Sequence, residues 1–177
     1  PGLSAAIVLI SAVLGLALLG AAAGAVLFSQ GFASGLVLLI VGGVVALASI
    51  AWFGTLLPAA WLWLLSLHRM ASIIFGAIRI TAAFAVINMM VSIETAIPFA
   101  FASLVGGSSS IVPAGLGVSE ILAAFLAETT GLATAATAFL AVALNRISAI
   151  LFSAVLLAVL QIVKAFDTRR TRQPTAQ

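Results

Sequence analysis

Residues 111–120 read Ile-Val-Pro-Ala-Gly-Leu-Gly-Val-Ser-Glu and interrupt a chain that otherwise consists of long apolar stretches. Pro113 lacks a backbone N–H, and Gly115 and Gly117 each raise the entropy cost of forming a helix. Glu120 places a carboxyl group at the end of this break. Within a membrane, irregular backbone is tolerated only where it is buried in protein or lines a watery cavity. The decapeptide therefore predicts a broken helix, and it is the first place to look for a site.

The composition around this break is that of an integral membrane protein. The 177 residues are 64% hydrophobic and 6% charged, and their mean hydropathy is +1.38. A soluble domain carries about 25% charged residues, so no water-soluble fold could bury this much apolar surface. The apolar runs exceed the ~20 residues that a transmembrane helix needs, and they lack the alternation of a transmembrane barrel. The sequence therefore predicts an all-α, polytopic helical membrane protein.

The apolar runs divide at polar residues and at proline. Pro58 is expected to kink the second run, which leaves Trp61 and Trp63 in an interfacial piece beside His68 and Arg69; the alternative is that Pro58 ends a span. Two short pieces around the break are each too short to cross a bilayer, so we expect them to form a re-entrant broken helix pair. The prediction is a transmembrane domain over residues 1–166, with spans at about 3–28, 34–57, 71–93 and 134–166, the re-entrant pair at 96–128, and a polar basic tail at 167–177.

The basic residues favour re-entry of this pair over a crossing. The tail holds Arg169, Arg170 and Arg172 and is expected to be cytoplasmic by the positive-inside tendency. Arg69 falls on the same side as this tail only if the pair returns to the face that it entered. A crossing would place Arg69 on the opposite face and stays open as the alternative. The expected location is the cell membrane, multi-pass, with a cytoplasmic tail.

Charged and polar groups inside the predicted spans are the candidate site residues. Arg79 and Arg146 lie well inside their helices, and a lone arginine at the bilayer centre costs at least ~2.5 kcal/mol. Asn145 adjoins Arg146, and Ser153 lies two helical turns further on the same face. Glu120 is the expected partner of Arg146. The alternative interpretations are that this pair is only a structural bridge and that Arg79 reaches toward the headgroups.

Several function classes are disfavoured by what the sequence contains. It has no cysteine and one histidine, so we expect no metal and no cofactor. It offers no His–Ser dyad or paired aspartates, so we do not expect an enzyme, and no basic or aromatic platform for nucleic acid. The chain begins with Pro1, and we expect further helices upstream; these helices or a second copy of the chain are the expected protein partners.

The order of residues 113–120, followed by Gly131 and by Asn145-Arg146 on the next helix, resembles a known family. It is similar to the C-terminal part of the lysylphosphatidylglycerol synthase transmembrane region family. These are flippase-like polytopic proteins that include the membrane half of the multiple peptide resistance factor. The resemblance covers about residues 68–163 and rests on the pattern Pro-x-Gly-x-Gly-x-x-Glu with an arginine on the following helix. Family members often carry arginine just before the glutamate, where this chain has Ser119.

The resemblance implies a membrane protein that binds or translocates a lipid. The expected partners are membrane lipids, either an anionic phospholipid or a lipid-linked substrate, and the soluble aminoacyl-transferase domain of the synthase has no counterpart in these residues. The alternatives are a solute transporter with a broken-helix site at the midplane and a non-transporting membrane partner of a lipid-modifying enzyme. The residues expected to line a headgroup groove are Arg79, Pro113, Gly115, Gly117, Glu120, Asn145 and Arg146.

Overall fold

The computed structural model describes residues 2–108 and 117–171, and those residues form helices without any strand. The helices are α1 (Gly2–Ser29), α2 (Ala33–Gly54), α3 (Ala59–Val86), α4 (Ile93–Ser108), α5 (Val118–Thr130) and α6 (Ala135–Thr171). Leucine, alanine and isoleucine dominate them, and in lipid a helix satisfies every backbone hydrogen bond within its own segment. The prediction of an all-α fold is confirmed.

Four of these helices are long and apolar enough to cross a membrane. Their qualifying segments are Ser11–Ser29, Ala33–Gly54, Ala59–Val86 and Ala135–Ile162. Most large apolar side chains of α2 and α6 are exposed, among them Val37, Val44, Leu156 and Leu160. In a bilayer these side chains contact lipid, so their exposure needs no further explanation. The chain is therefore compatible with a multi-pass membrane protein.

Helices α1 and α2 form a hairpin in which glycines bring the two backbones into contact. A Cβ added at Gly24 would lie 2.7 Å from the carbonyl oxygen of Gly35, and a Cβ at Gly42 would lie 2.8 Å from that of Ala17. Without a hydrophobic driving force between helices in lipid, such close packing is what holds them together. Leu14, Ala17 and Ala46 form a buried cluster in the same interface.

The third helix begins earlier than the sequence predicted. A span was expected at 71–93 after an interfacial piece, whereas α3 runs without interruption from Ala59 to Val86. Pro58 is its N-cap and does not kink a span, because the missing N–H of proline costs nothing at a helix start. The second span ends at Gly54 and not near residue 57. Arg69 therefore lies within a continuous helix, whereas the sequence predicted it at the interfacial start of a span.

Helix α4 packs against α1 and α3, and α5 packs against α4. A Cβ at Gly20 would lie 3.2 Å from the ring of Phe101, and one at Gly76 would lie 4.0 Å from Cβ of Ala100. Gly76 and Ala100 lie at similar distances from the connection between α3 and α4, as expected of an antiparallel pair. Phe84 and Phe99 strengthen this junction with an edge-to-face contact whose ring centroids are 5.3 Å apart.

The chain divides into two compact units at α6. The first ends at Ala143 and the second begins at Leu144. In the first unit Ala138, Ala141 and Val142 are fully buried, whereas the side chains of residues 151–162 in the second are all exposed. Helix α6 continues to Thr171, so it extends beyond the predicted end of the last span at 166 into the predicted tail.

Candidate functional site at the junction of two short helices

Helix α5 begins directly after the predicted break, at a glycine with unusual backbone geometry. Gly117 has φ +87° and precedes Val118, the first residue of α5. This left-handed conformation is strained for residues with a Cβ, so a glycine is the residue that fits. Gly131 ends the same helix with φ +66°, in the usual left-handed C-cap geometry. Glycines thus fix both ends of α5.

Glu120 is a buried carboxylate in the first turn of α5. Its side chain is 5% exposed, and Oε2 accepts a hydrogen bond of 3.0 Å from the backbone N–H of Gly117. A negative charge here also interacts favourably with the positive end of the helix dipole. The glutamate therefore occupies the anion-binding position of this helix N-terminus.

Ser119 and Gly106 hold the start of α5 against the end of α4. Ser119 is 1% exposed, and its hydroxyl donates a 3.3 Å hydrogen bond to the carbonyl oxygen of Ser103. A Cβ at Gly106 would lie 2.5 Å from Cα of Ser119, so only glycine permits this approach. Sequence analysis treated Ser119 as a departure from a family pattern and did not foresee this role. Its hydroxyl and small size both serve the junction between the two helices.

The two helices that meet at the junction are each shorter than a membrane-spanning helix. Helix α4 has 16 residues and α5 has 13, so they are about 24 Å and 20 Å long against a hydrocarbon core of about 30 Å. Because α4 starts just after α3 ends and runs back along it, its last residue lies about 22 Å from that face. Neither helix crosses alone, which fits the predicted re-entrant pair.

Arg79 lies on α3 with an exposed side chain. It precedes the helix end at Val86 by seven residues, so it lies about 10 Å from that end along the axis. Its place in a headgroup groove stays a prediction.

Asn145 and Arg146 open the second unit, and both are half-buried. Arg146 and Ser153 lie on one open face of α6, together with apolar residues of the same helix. The prediction that Arg146 and Ser153 share a face is confirmed. The Ser153 hydroxyl donates to the carbonyl oxygen of Ala149 at 2.8 Å, so it satisfies its donor within the helix.

The predicted site residues thus fall into three groups. Gly117 and Glu120 are brought together by a hydrogen bond, and Arg79, Asn145 and Arg146 lie on longer helices. Pro113 and Gly115 lie outside the described residues. The pairing of Glu120 with Arg146 stays a prediction.

One polar contact inside the first unit was missed by the sequence analysis. A terminal nitrogen of Arg69 on α3 donates to the hydroxyl of Ser11 on α1, and Ser11 is 8% exposed. Arg69 was expected to be an interfacial anchor. The available signal was Pro58, because a helix that starts there carries Arg69 ten residues further in than Ala59.

No protein-family model, no curated protein and no solved structure matches this chain. Among residues 2–108 and 117–171, no three His, Cys, Asp or Glu side chains are grouped so that they could hold a metal ion. The functional argument therefore rests on the broken helix pair, its buried carboxylate and the intramembrane arginines.

Proposed function

We propose that this protein translocates a phospholipid or a lipid-linked intermediate between the two leaflets of a membrane. The observation that supports the proposal is the junction of α4 and α5, where two helices too short to cross meet beside the buried carboxylate of Glu120. A structural scaffold has no need for such a junction, because an uninterrupted helix would satisfy its backbone at lower cost.

The physical problem in lipid translocation is the transfer of a charged headgroup through hydrocarbon. Each polar group without a partner costs several kcal/mol there, so the protein must replace the hydration of the headgroup. Backbone N–H groups at the start of α5, together with Arg79 and Arg146, are the donors that this proposal assigns to a phosphate. The acyl tails stay in the surrounding lipid throughout.

Glu120 acts in this mechanism as an internal competitor for the phosphate. Its carboxylate accepts the N–H of Gly117, which is one of the donors that an entering phosphate would use. A headgroup displaces the carboxylate from this N–H, and return of the carboxylate releases the headgroup. In this proposal the guanidinium groups of Arg79 and Arg146 balance the negative charge of the headgroup, and the amide of Asn145 donates a hydrogen bond to it.

The proposal is tested by reconstituting the protein in proteoliposomes and following fluorescent phosphatidylglycerol between leaflets. Arg146→Ala is expected to slow movement about ten-fold or more, because hydrogen bonds to a charged group contribute that much to a transition state. Glu120→Gln is expected to slow it as well, because the neutral amide no longer displaces the headgroup. Glu128→Gln is the matched control, since Glu128 is exposed near the other end of α5.

Three outcomes would replace the proposal. Unchanged lipid movement in both Arg146→Ala and Glu120→Gln would remove this route. No lipid movement by the folded protein, with solute uptake that follows an ion gradient, would favour the solute transporter. No transport, with tolerance of Arg146→Ala and stable co-purification with a soluble transferase, would favour a membrane partner of a lipid-modifying enzyme.

A further inference from the structure

Arg69 is a further cation within a candidate membrane span, and it lies in the interface of α1 and α3, apart from the residues of the proposed route. Arg69 is half-buried, and its side chain points toward α1, where it donates to the hydroxyl of Ser11. Ser11 is the tenth residue of α1 and Arg69 the eleventh of α3. Both therefore lie about 13–15 Å along their helices, inside the hydrocarbon core.

The interface is shaped to accept this guanidinium. A Cβ at Gly15 would lie 3.2 Å from Cδ of Arg69 and 3.3 Å from one terminal nitrogen, so the side chain lies directly over the glycine. Ser11 and Gly15 are one helical turn apart and share the face of α1 that Arg69 covers. Within the described part of the chain, Nε of Arg69 is buried and has no hydrogen-bond partner.

The surrounding helices carry no negative charge that could balance Arg69. Residues 1–93 contain neither aspartate nor glutamate, so α1, α2, α3 and the connection from α3 to α4 lack a carboxylate. Glu94 is exposed in the first turn of α4, near the far end of α3, and Glu120 caps α5. A guanidinium at this depth without a counter-charge is costly, and Ser11 supplies only a neutral acceptor.

Arg69 also lies within reach of a lipid headgroup. Trp61 and Trp63 on the same helix are strongly exposed, and exposed tryptophans sit at the level of the headgroups. Arg69 follows Trp63 by six residues, which places it about 9 Å deeper. An arginine side chain of this length can draw a phosphate part of the way down from the surface.

We propose that Arg69 and Ser11 form a phosphate-binding site between α1 and α3, in which the guanidinium turns away from Gly15 and binds the phosphate through Nε and a terminal nitrogen. Arginine presents these N–H groups as a planar fork that matches phosphate, and the pair of bonds supplies the missing partner of Nε. The ligand is either the headgroup phosphate of an anionic phospholipid or free inorganic phosphate. Both present the same negatively charged oxygens to the guanidinium. It does not depend on the lipid route proposed above.

The test is ligand-dependent thermal stabilisation of the purified full chain in detergent, with three probes. These are phosphatidylglycerol, a diacylglycerol with the same acyl chains, and inorganic phosphate. Phosphatidylglycerol is expected to raise the midpoint of unfolding, and diacylglycerol is not, because it lacks the phosphate. Arg69→Gln is expected to raise the half-saturating concentration of phosphatidylglycerol about ten-fold or more, whereas His68→Gln, at the exposed neighbouring position, leaves it unchanged.

The probes distinguish the two sources. An Arg69-dependent shift with phosphatidylglycerol alone identifies the lipid phosphate, and the same shift with inorganic phosphate identifies a free anion. Should Arg69→Gln fail to fold, Arg69→Lys keeps the charge and loses the fork, and weaker binding by this variant supports the site. Equal stabilisation of wild type and Arg69→Lys by phosphatidylglycerol, or no phosphate-dependent shift in the wild type, would overturn the proposal.

Discussion

The α1–α2 hairpin and the α4–α5 pair share one kind of helix contact, but the contact has a different role in each. In both, a glycine lets two backbones touch: Gly24 against Gly35 in the hairpin, and Gly106 against Ser119 in the short pair. The hairpin joins two charge-free helices of 28 and 22 residues. The short pair joins helices of 16 and 13 residues and buries a hydroxyl and a carboxylate at the contact.

This difference separates a scaffold from a candidate site. Close approach of two helices without polar groups stabilises their association, and this packing is enough to account for the hairpin. Close approach at an interrupted helix leaves backbone N–H groups at membrane depth that need partners, and Glu120 supplies one. The same kind of glycine contact therefore stabilises the hairpin, whereas in the short pair it also positions the polar groups of the candidate site. The four substitutions below probe each side of this comparison.

The largest effect is expected at the hairpin. Gly24→Leu places a side chain where even a Cβ would lie 2.7 Å from a backbone oxygen, so it should destabilise folding by about 3 kcal/mol or more. The measurement is reversible denaturation in detergent micelles followed by helical circular dichroism. Gly43→Leu on α2 is the control, because a Cβ there meets nothing within 4 Å. Equal stability of the two variants would refute the packing described for the hairpin.

A smaller loss is expected at the short pair. Gly106→Ala forces its Cβ into the backbone of Ser119 and should cost about 1–3 kcal/mol, together with a slower lipid movement. Gly107→Ala, one residue away in open space, should retain both stability and movement. A Gly106→Ala protein that keeps full stability and wild-type movement would show that the two helices do not need this contact.

Removal of the carboxylate cap is expected to cost about 1 kcal/mol. Glu120→Ala leaves the N–H of Gly117 without its acceptor and removes a charge from the helix N-terminus. Glu128→Ala, exposed on the same helix, should change the free energy of unfolding by less than about 0.5 kcal/mol. The same denaturation experiment measures both variants, and a larger effect at Glu128 would count against the cap.

The smallest effect is expected at Ser119. Ser119→Ala removes the hydrogen bond to the carbonyl oxygen of Ser103 and should cost about 0.5–1 kcal/mol. Thr129→Ala is the comparison, because this exposed hydroxyl bonds only within its own helix, to Phe125 and Leu126. If Ser119→Ala leaves the free energy of unfolding unchanged, the junction is stabilised by the close approach at Gly106 and not by the hydrogen bond of Ser119.

The sequence predicted what composition and local backbone preferences determine. Length and hydropathy indicate the spanning helices, and the glycine before Val118 indicates where α5 begins. The prediction at Pro58 was wrong because proline is compatible with both a kink and a helix start, and only the neighbouring turn decides between them.

The contacts between helices could not be predicted, since they depend on how the helices pack. Gly24 and Gly35 lie on different helices, and nothing in the residues around either glycine indicates that the two meet. The bond from Arg69 to Ser11 joins residues 58 positions apart. Likewise, the bond that Glu120 accepts from the N–H of Gly117 depends on the local geometry of the helix start.

The central claim is that α4 and α5 form a re-entrant pair that reaches the membrane interior and returns. The sequence contains no cysteine, so single substitutions Glu94→Cys and Glu128→Cys can be labelled with a membrane-impermeant thiol reagent in sealed vesicles of known orientation. Both positions are exposed and lie at the outer ends of the pair. The account predicts that both are labelled from the same face; labelling from opposite faces would contradict it, because the pair would then cross the membrane.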